Sequence, residues 1–327
     1  MQRHPILRLA SLSAISLVAV ACGGSGSSTD DTVGKPDVAV DTAPADTAVT
    51  DTATSDTFVP TTDAADAAVL DAETGPDWPS CDSKPSGTTT STIPALWATN
   101  PSAPVYSWVS GAVVTAVSGG GCAADKACQI FVQEEGGAAT LAGVAKKAIK
   151  VFVSAKAGSR FTGIVPGDKV DIAAHAWRYN VTGQNELLLQ VNDLLRGCIK
   201  KTGTGTITAV PATLTELGSV AAYETQYGPV LVTVSGVSGN TDTSLSMTFG
   251  LWPTTGGFDA GASSIVSLSP YCLSGNAFTG MTTSKRYDFN SVTGVFGIFI
   301  PTTTGDSGTS PKYLEVYART MADVSIK

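Results

Sequence analysis

The sequence predicts an all-β protein: two consecutive five-stranded units carried behind a long acidic spacer. Three observations predict it. Beyond about residue 89, apolar and polar residues alternate in short runs bounded by Gly, Pro, Ser and Thr, the period-two signature of half-buried strands. No long stretch there shows the 3.6-residue period of a helix. Charge is also unevenly placed: residues 30–82 hold 12 Asp, one Glu and one Lys, a net of −12 against −8 for the whole chain. Residues 83–327 are therefore close to neutral, at +2.

The chain opens with Arg3 and Arg8 and then a 13-residue apolar run, Leu9 to Ala21, broken only by Ser11, Ser13 and Ser16. That is the length of a signal-peptide apolar segment and well short of the ~20 residues a bilayer span needs. Its end, Leu17-Val18-Ala19-Val20-Ala21-Cys22, resembles the lipobox of bacterial lipoproteins, with Ala19 standing where that family usually has Leu. The resemblance implies cleavage before Cys22, lipid attachment to Cys22 and a membrane as partner. Anchoring by several acyl chains is stable where one is marginal. Gly23 after the cysteine, rather than Asp, favours the outer membrane of a Gram-negative bacterium by enteric sorting logic. No other segment is apolar enough to cross a membrane.

Residues 1–21 thus read as signal peptide and 22–88 as a disordered linker rich in Asp, Thr and Ala. Asp41, Asp46, Asp51 and Asp56 recur every five residues. Such a stretch buries too little apolar surface to offset its ordering entropy, and like charges extend it. Calcium binding is disfavoured, because this spacing gathers no oxygens in one short loop. A coil of this length reaches roughly 40 Å on average and at most roughly 200 Å, enough to clear a polysaccharide coat.

Two units of ordinary domain size follow, 89–212 and 213–327. In the first, strands are expected over 105–117, with Gly111 relieving a bend, then 127–133, 148–155, 169–179 and 186–191. The turn Pro166-Gly167 introduces the fourth. In the second, strands are expected over 229–237, 245–251, 264–268, 287–300 and 313–318. Val234-Ser235-Gly236-Val237 echoes Val109-Ser110-Gly111 of the first. Between them Thr213 and Glu216 form a capping-box pattern opening one short inter-domain helix that ends before Gly228.

The first unit's runs, Val109 to Ala116, Ile130 to Gln133, Val151 to Val153, Pro166 to Ile172 and Leu187 to Leu189, resemble the five-stranded OB-fold modules of secreted bacterial proteins, including those appended to extracellular nucleases. Leu314 to Val324 resembles the closing strand of the same class. The resemblance implies two tandem OB-like barrels. It implies a fold rather than a chemistry, because the matched residues are core and turn positions. The helix that such barrels carry between strands three and four is reduced here to the loop 156–165.

Six cysteines in an exported chain point to disulfides. Cys122 and Cys128 flank one short loop and form a natural staple. Cys81, Cys198 and Cys272 remain. Cys81–Cys198 would tie the linker's end to the first unit and Cys198–Cys272 would lock the units together; the first is favoured. No spacing suggests a zinc or other metal site, and no cofactor fingerprint is present. His175 and Ser307 sit in motifs resembling those of chymotrypsin-like proteases. No Asp stands between them where that family places it, and too few residues follow Ser307 to build its substrate pocket. The chain is therefore read as non-enzymatic, with a secreted hydrolase or accessory subunit, or a self-associating structural surface protein, as alternatives.

A binding surface is the stronger expectation. Residues 83–215 carry +5 and residues 216–327 carry −3. On the fourth strand His175, Trp177 and Tyr179 share a face with Arg178 at its end, and Lys150 adds charge nearby. Aromatics beside cations are what OB barrels use on oligosaccharide or single-stranded nucleic acid, so either of these or a protein is the expected ligand. A net of +5 is modest for a dedicated nucleic-acid binder.

Overall fold

The computed structural model describes residues 77–119, 121–124, 126–179, 185–240, 266–299 and 313–327. All of these belong to one compact unit. The leader, Cys22, the linker up to residue 76, the expected strand 245–251 and Ser307 lie outside the described residues. Among the described residues no helix is long and apolar enough to cross a membrane.

The first half is a closed barrel. Its strands are β2 (Val105–Val117), β3 (Cys128–Gln133), β4 (Ala148–Val153), β5 (Asp168–Tyr179) and β6 (Glu186–Val191). They are ordered β2-β3-β4-β6-β5 and close through β5 onto β2. Neighbours are antiparallel except β4 and β6, which run parallel. One long strand can serve two partners only if it bends. β2 bends at Gly111, whose φ of +70° is open to glycine at no steric cost, and its register with β5 slips between Val109 and Ala112. The Ser110 hydroxyl and the Gly111 N–H both donate to the Asp171 carboxylate, at 2.6 and 2.8 Å, and hold the bend.

The alternation expected from the sequence sorts residues cleanly. Ile130, Val132, Ile149, Val151, Ile172, Ala174, Leu187 and Leu189 fill the interior, all fully buried. Two short helices close it. Helix α1 (Ile93–Thr99) starts at Thr92, whose side chain accepts from the Ala95 N–H, and carries a proline in its first turn. It buries Ile93, Leu96 and Trp97. A 3₁₀ helix, Ala155–Phe161, stands where only a loop was expected and contributes Ala157 and Phe161 to the core. The two-residue β1 (Thr89–Thr90) lies parallel on β2, and β7 (Cys198–Thr204) extends the sheet beyond β5.

The second half repeats this plan strand for strand, as far as it is described. β8 (Val210–Pro211) lies parallel on β9 (Leu231–Ser235), as β1 does on β2. Helix α2 (Leu214–Leu217) follows β8, opened by the expected reciprocal capping box of Thr213 and Glu216. β9 and β10 (Ser238–Asn240) pair with β12 (Arg286–Phe299), which pairs antiparallel with β13 (Tyr313–Tyr317). β13 runs parallel to β11 (Val266–Ser269), and β14 (Val324–Ile326) extends β12 as β7 extends β5. Even the bend recurs: Gly236, after Val234 and Ser235, has φ +65°. This second sheet is not closed among the described residues. The expectation of two barrels therefore reduces to one closed barrel and one open sheet, since closure needs every strand around the ring and 241–265 separates β10 from β11.

The two halves share their apolar surfaces. Ala116 and Phe131, on the outside of the barrel, pack with Leu231, Cys272, Val295 and Tyr317. Leu141, Val144 and Ala148 join the core of the second sheet. A polar group is matched across the seam, where the Leu231 N–H donates to Gln133 Oε1 at 3.0 Å; beside it, within the first half, Trp97 Nε1 donates to the Ala148 carbonyl at 3.0 Å. Gly228 makes this approach possible, because a Cβ there would stand 2.6 Å from the Trp97 ring.

Candidate functional site

A barrel's outward residues are the ones its core does not need, so the site is read from the outer side of β5, β6, β4 and β3. On β5 the outward set is Ala173, His175, Trp177 and Tyr179, the complement of the buried Ile172, Ala174 and Ala176. Register sets their neighbours. His175 stands opposite Gln190 and Trp177 opposite Leu188 on β6; Lys150 and Phe152 on β4 stand opposite Leu188 and Gln190; Gln129 on β3 stands opposite Phe152. Gln129, Lys150, Phe152, Tyr179, Leu188 and Gln190 line a concavity of about 160 Å³.

Trp177 braces this groove. Its Nε1 donates to Gln190 Oε1 at 2.8 Å, and its ring meets Tyr179 edge to face, centroids 5.4 Å apart. Gln190 is left with its amide NH₂ to donate, and the Gln129 side chain has no hydrogen-bond partner among the described residues.

Lys150 does not present a free charge. Only 8% exposed, it ion-pairs with Glu186, which is 3% exposed, and the Tyr223 hydroxyl donates to the other oxygen of that carboxylate. Burial, reinforced by the Glu186 charge, holds the Tyr223 phenol well above its ordinary range. The end of the groove is therefore a buried, neutral ensemble.

The other expected residues are placed differently. His175 stacks on Tyr106, centroids 4.6 Å apart and planes 14° apart, away from the groove. Its Nδ1 and the Tyr106 hydroxyl are buried without a hydrogen-bond partner. Burial lowers the His175 pKa and raises that of Tyr106, so both are neutral at pH 7. Arg178 points to the other side of the strand. It donates to the carbonyls of Asn185 (2.7 Å) and Glu224 (3.1 Å), to Asn100 Oδ1, and lies over the Trp97 ring at 5.8 Å. It joins β5 to α1 and to the second half rather than facing a ligand.

Several of the first half's lysines are held in ion pairs. Besides Lys150, Lys156 pairs with Asp193, Lys169 with Glu135, Lys200 with Asp82 and Lys201 with Asp168. Arg160 and Arg196 lie over the Trp78 ring, at 4.7 and 5.7 Å.

Both favoured disulfides are present, Cys81–Cys198 and Cys122–Cys128, which removes the Cys198–Cys272 alternative. Cys272 is a buried free thiol. Among the described residues no three His, Cys, Asp or Glu side chains converge to hold a metal.

Of the residues lining the groove, the sequence reading names Lys150 and Tyr179 and does not name Gln129, Phe152, Leu188 or Gln190, nor the partners Glu186 and Tyr223. The available signal was strand register: once β4 and β6 are paired in parallel, Phe152 and Gln190 fall beside each other. No family model matches the chain, and no curated protein matches it.

Proposed function

We propose that this protein is an exported lipoprotein, moored to the bacterial envelope through Cys22, that displays tandem OB-like modules as a non-enzymatic ligand-binding unit. The order β2-β3-β4-β6-β5, with third and fifth strands parallel, is the arrangement an OB barrel requires, and it supports that reading of the first module. The second module is read as the same barrel. β9, β11, β12 and β13 take the matching places, and the expected strand 245–251 lies outside the described residues.

One observation carries the binding reading: an outward concavity lined by aromatic and amide side chains that neither fill the core nor complete a catalytic set. Such small, mostly apolar hollows with a few placed polar groups are where ligands bind. Oligosaccharide, single-stranded nucleic acid and protein are the ligand classes this fold serves.

Mooring is tested by metabolic labelling with a fatty-acid analogue. The full chain is expected to carry the label and to fractionate with membranes, and Cys22→Ser to lose both. Equal labelling of the two would remove Cys22 as the attachment point.

A further inference from the structure

The groove on β3, β4, β5 and β6 is built for an uncharged sugar. We infer, on the basis of the binding-module reading above, that it seats one pyranose unit of a neutral oligosaccharide, stacked against Phe152 and Tyr179 and hydrogen-bonded by Gln129 and Gln190.

The first argument is charge. A nucleic acid brings a phosphate with every residue, and its affinity comes from cations that neutralise them. The only cation lining this hollow, Lys150, is ion-paired with Glu186, whose other oxygen accepts from Tyr223. Withdrawing Lys150 from Glu186 toward a phosphate would strand a carboxylate that is 3% exposed. The same cost opposes an acidic peptide.

The second argument is the chemistry of the lining. A pyranose presents C–H groups on one face and hydroxyls around its rim, each hydroxyl both donor and acceptor. Phe152 and Tyr179 supply half-exposed aromatic surface for the face. The free amide of Gln129 can both donate and accept. Gln190 is oriented by Trp177 Nε1 on its carbonyl, so its NH₂ is the part left to donate. An apolar peptide side chain would leave these amides unpaired, and a sugar rim does not. The third argument is size: about 160 Å³ admits one ring, not a folded partner.

The test uses the full chain carrying Cys22→Ser, so that it is handled without detergent. Tryptophan fluorescence is titrated with linear hexaoses of glucose, N-acetylglucosamine, xylose and mannose, with oligothymidylate, and with hexaglutamate. At least one hexaose is expected to bind saturably, with affinity unchanged between low and high salt. Phe152→Ala and Tyr179→Ala should each weaken it about tenfold or more, as loss of a stacking partner does. Gln190→Leu, which keeps the volume and removes the amide, should weaken it too, with a small fall in melting temperature from the Trp177 N–H it leaves unpaired and an unchanged circular-dichroism spectrum. Hexaose binding that ignores these substitutions would place the sugar elsewhere and overturn the inference. Salt-sensitive oligothymidylate binding that needs Phe152, without hexaose binding, would overturn the sugar and leave the binding module standing. Absence of binding by every probe would bring down both.

Discussion

Replacing Cys81 and Cys198 together by Ala is expected to destabilise the folded body by about 5 kcal/mol, against about 2 kcal/mol for the Cys122 and Cys128 pair. The difference follows from loop length. The first bridge spans 117 residues and the second spans 6, and a cross-link removes more freedom from the unfolded chain the longer the loop it closes. The site adds to this. Cys81 and Cys198 are 5% and 9% exposed and pack with Trp108 and Ala173, so Ala at both positions also loses buried contact. Three residues upstream Trp78 lies between Arg160 and Arg196, and Asp82 pairs with Lys200. Of these, the Asp82–Lys200 pair is exposed and weak, while Trp78 is partly buried against the barrel core, so the bridge and Trp78 together hold this segment on the barrel. For a body of this size the expected drop in melting temperature is roughly 10–20 °C. Equal losses from the two double substitutions would show that loop closure is not what the long bridge contributes.

The second large effect is a dependence on pH set by Glu315. This residue lies on β13 opposite Ser267 and Gly297, is 1% exposed, and has one carboxylate oxygen without a hydrogen-bond partner. Around it are Cys272, Tyr317 and Ser269, with Arg319 close enough to affect Cys272. Burial raises its pKa well above 4.5, and the Ser269 and Tyr317 hydroxyls oppose that only in part. The sign follows directly. Below pH 4.5 the folded and unfolded chains both hold the proton and the group contributes no pH dependence. Above it the unfolded chain releases the proton and the folded chain keeps it, so stability falls as pH rises. The fall continues until the folded-state pKa is passed, at a slope of up to about 1.4 kcal/mol per pH unit. Glu315→Gln, which cannot ionise, is expected to remove that slope and to exceed the parent in stability at neutral pH. Urea midpoints measured from acid to neutral pH check this. A parent slope that persists in Glu315→Gln would assign it to another group.

Much of the fold was readable locally. The strands at 105–117 and 186–191 have the expected limits, and those at 148–155, 169–179 and 287–300 differ by a residue or two. The capping box and the Cys122–Cys128 staple also follow from nearest-neighbour chemistry, whereas Cys81–Cys198, 117 residues apart, was one of two pairings left open by the sequence. What escaped is short or paired at a distance: β1, β7, β8, β10 and β14, whose two to seven residues carry too little alternation to announce themselves. Helix α1 was missed as well, although Thr92 and Pro94 mark its start.

The site divides in the same way. Period-two alternation needs only the side chains of one strand, so the sequence by itself determined that His175, Trp177 and Tyr179 share one side of β5 and that the acidic charge belongs to the linker. Which of those side chains line the groove was decided only by tertiary structure. A residue's charge and contacts depend on strands far away along the chain. Glu186, 36 positions from Lys150, neutralises it, and Tyr106 on β2 stacks on His175. Gln190 meets Phe152 only because β4 and β6 run parallel. Alternation is a property of one segment, whereas register and charge pairing are properties of two, and the free energy that selects the partner comes from burying both at once.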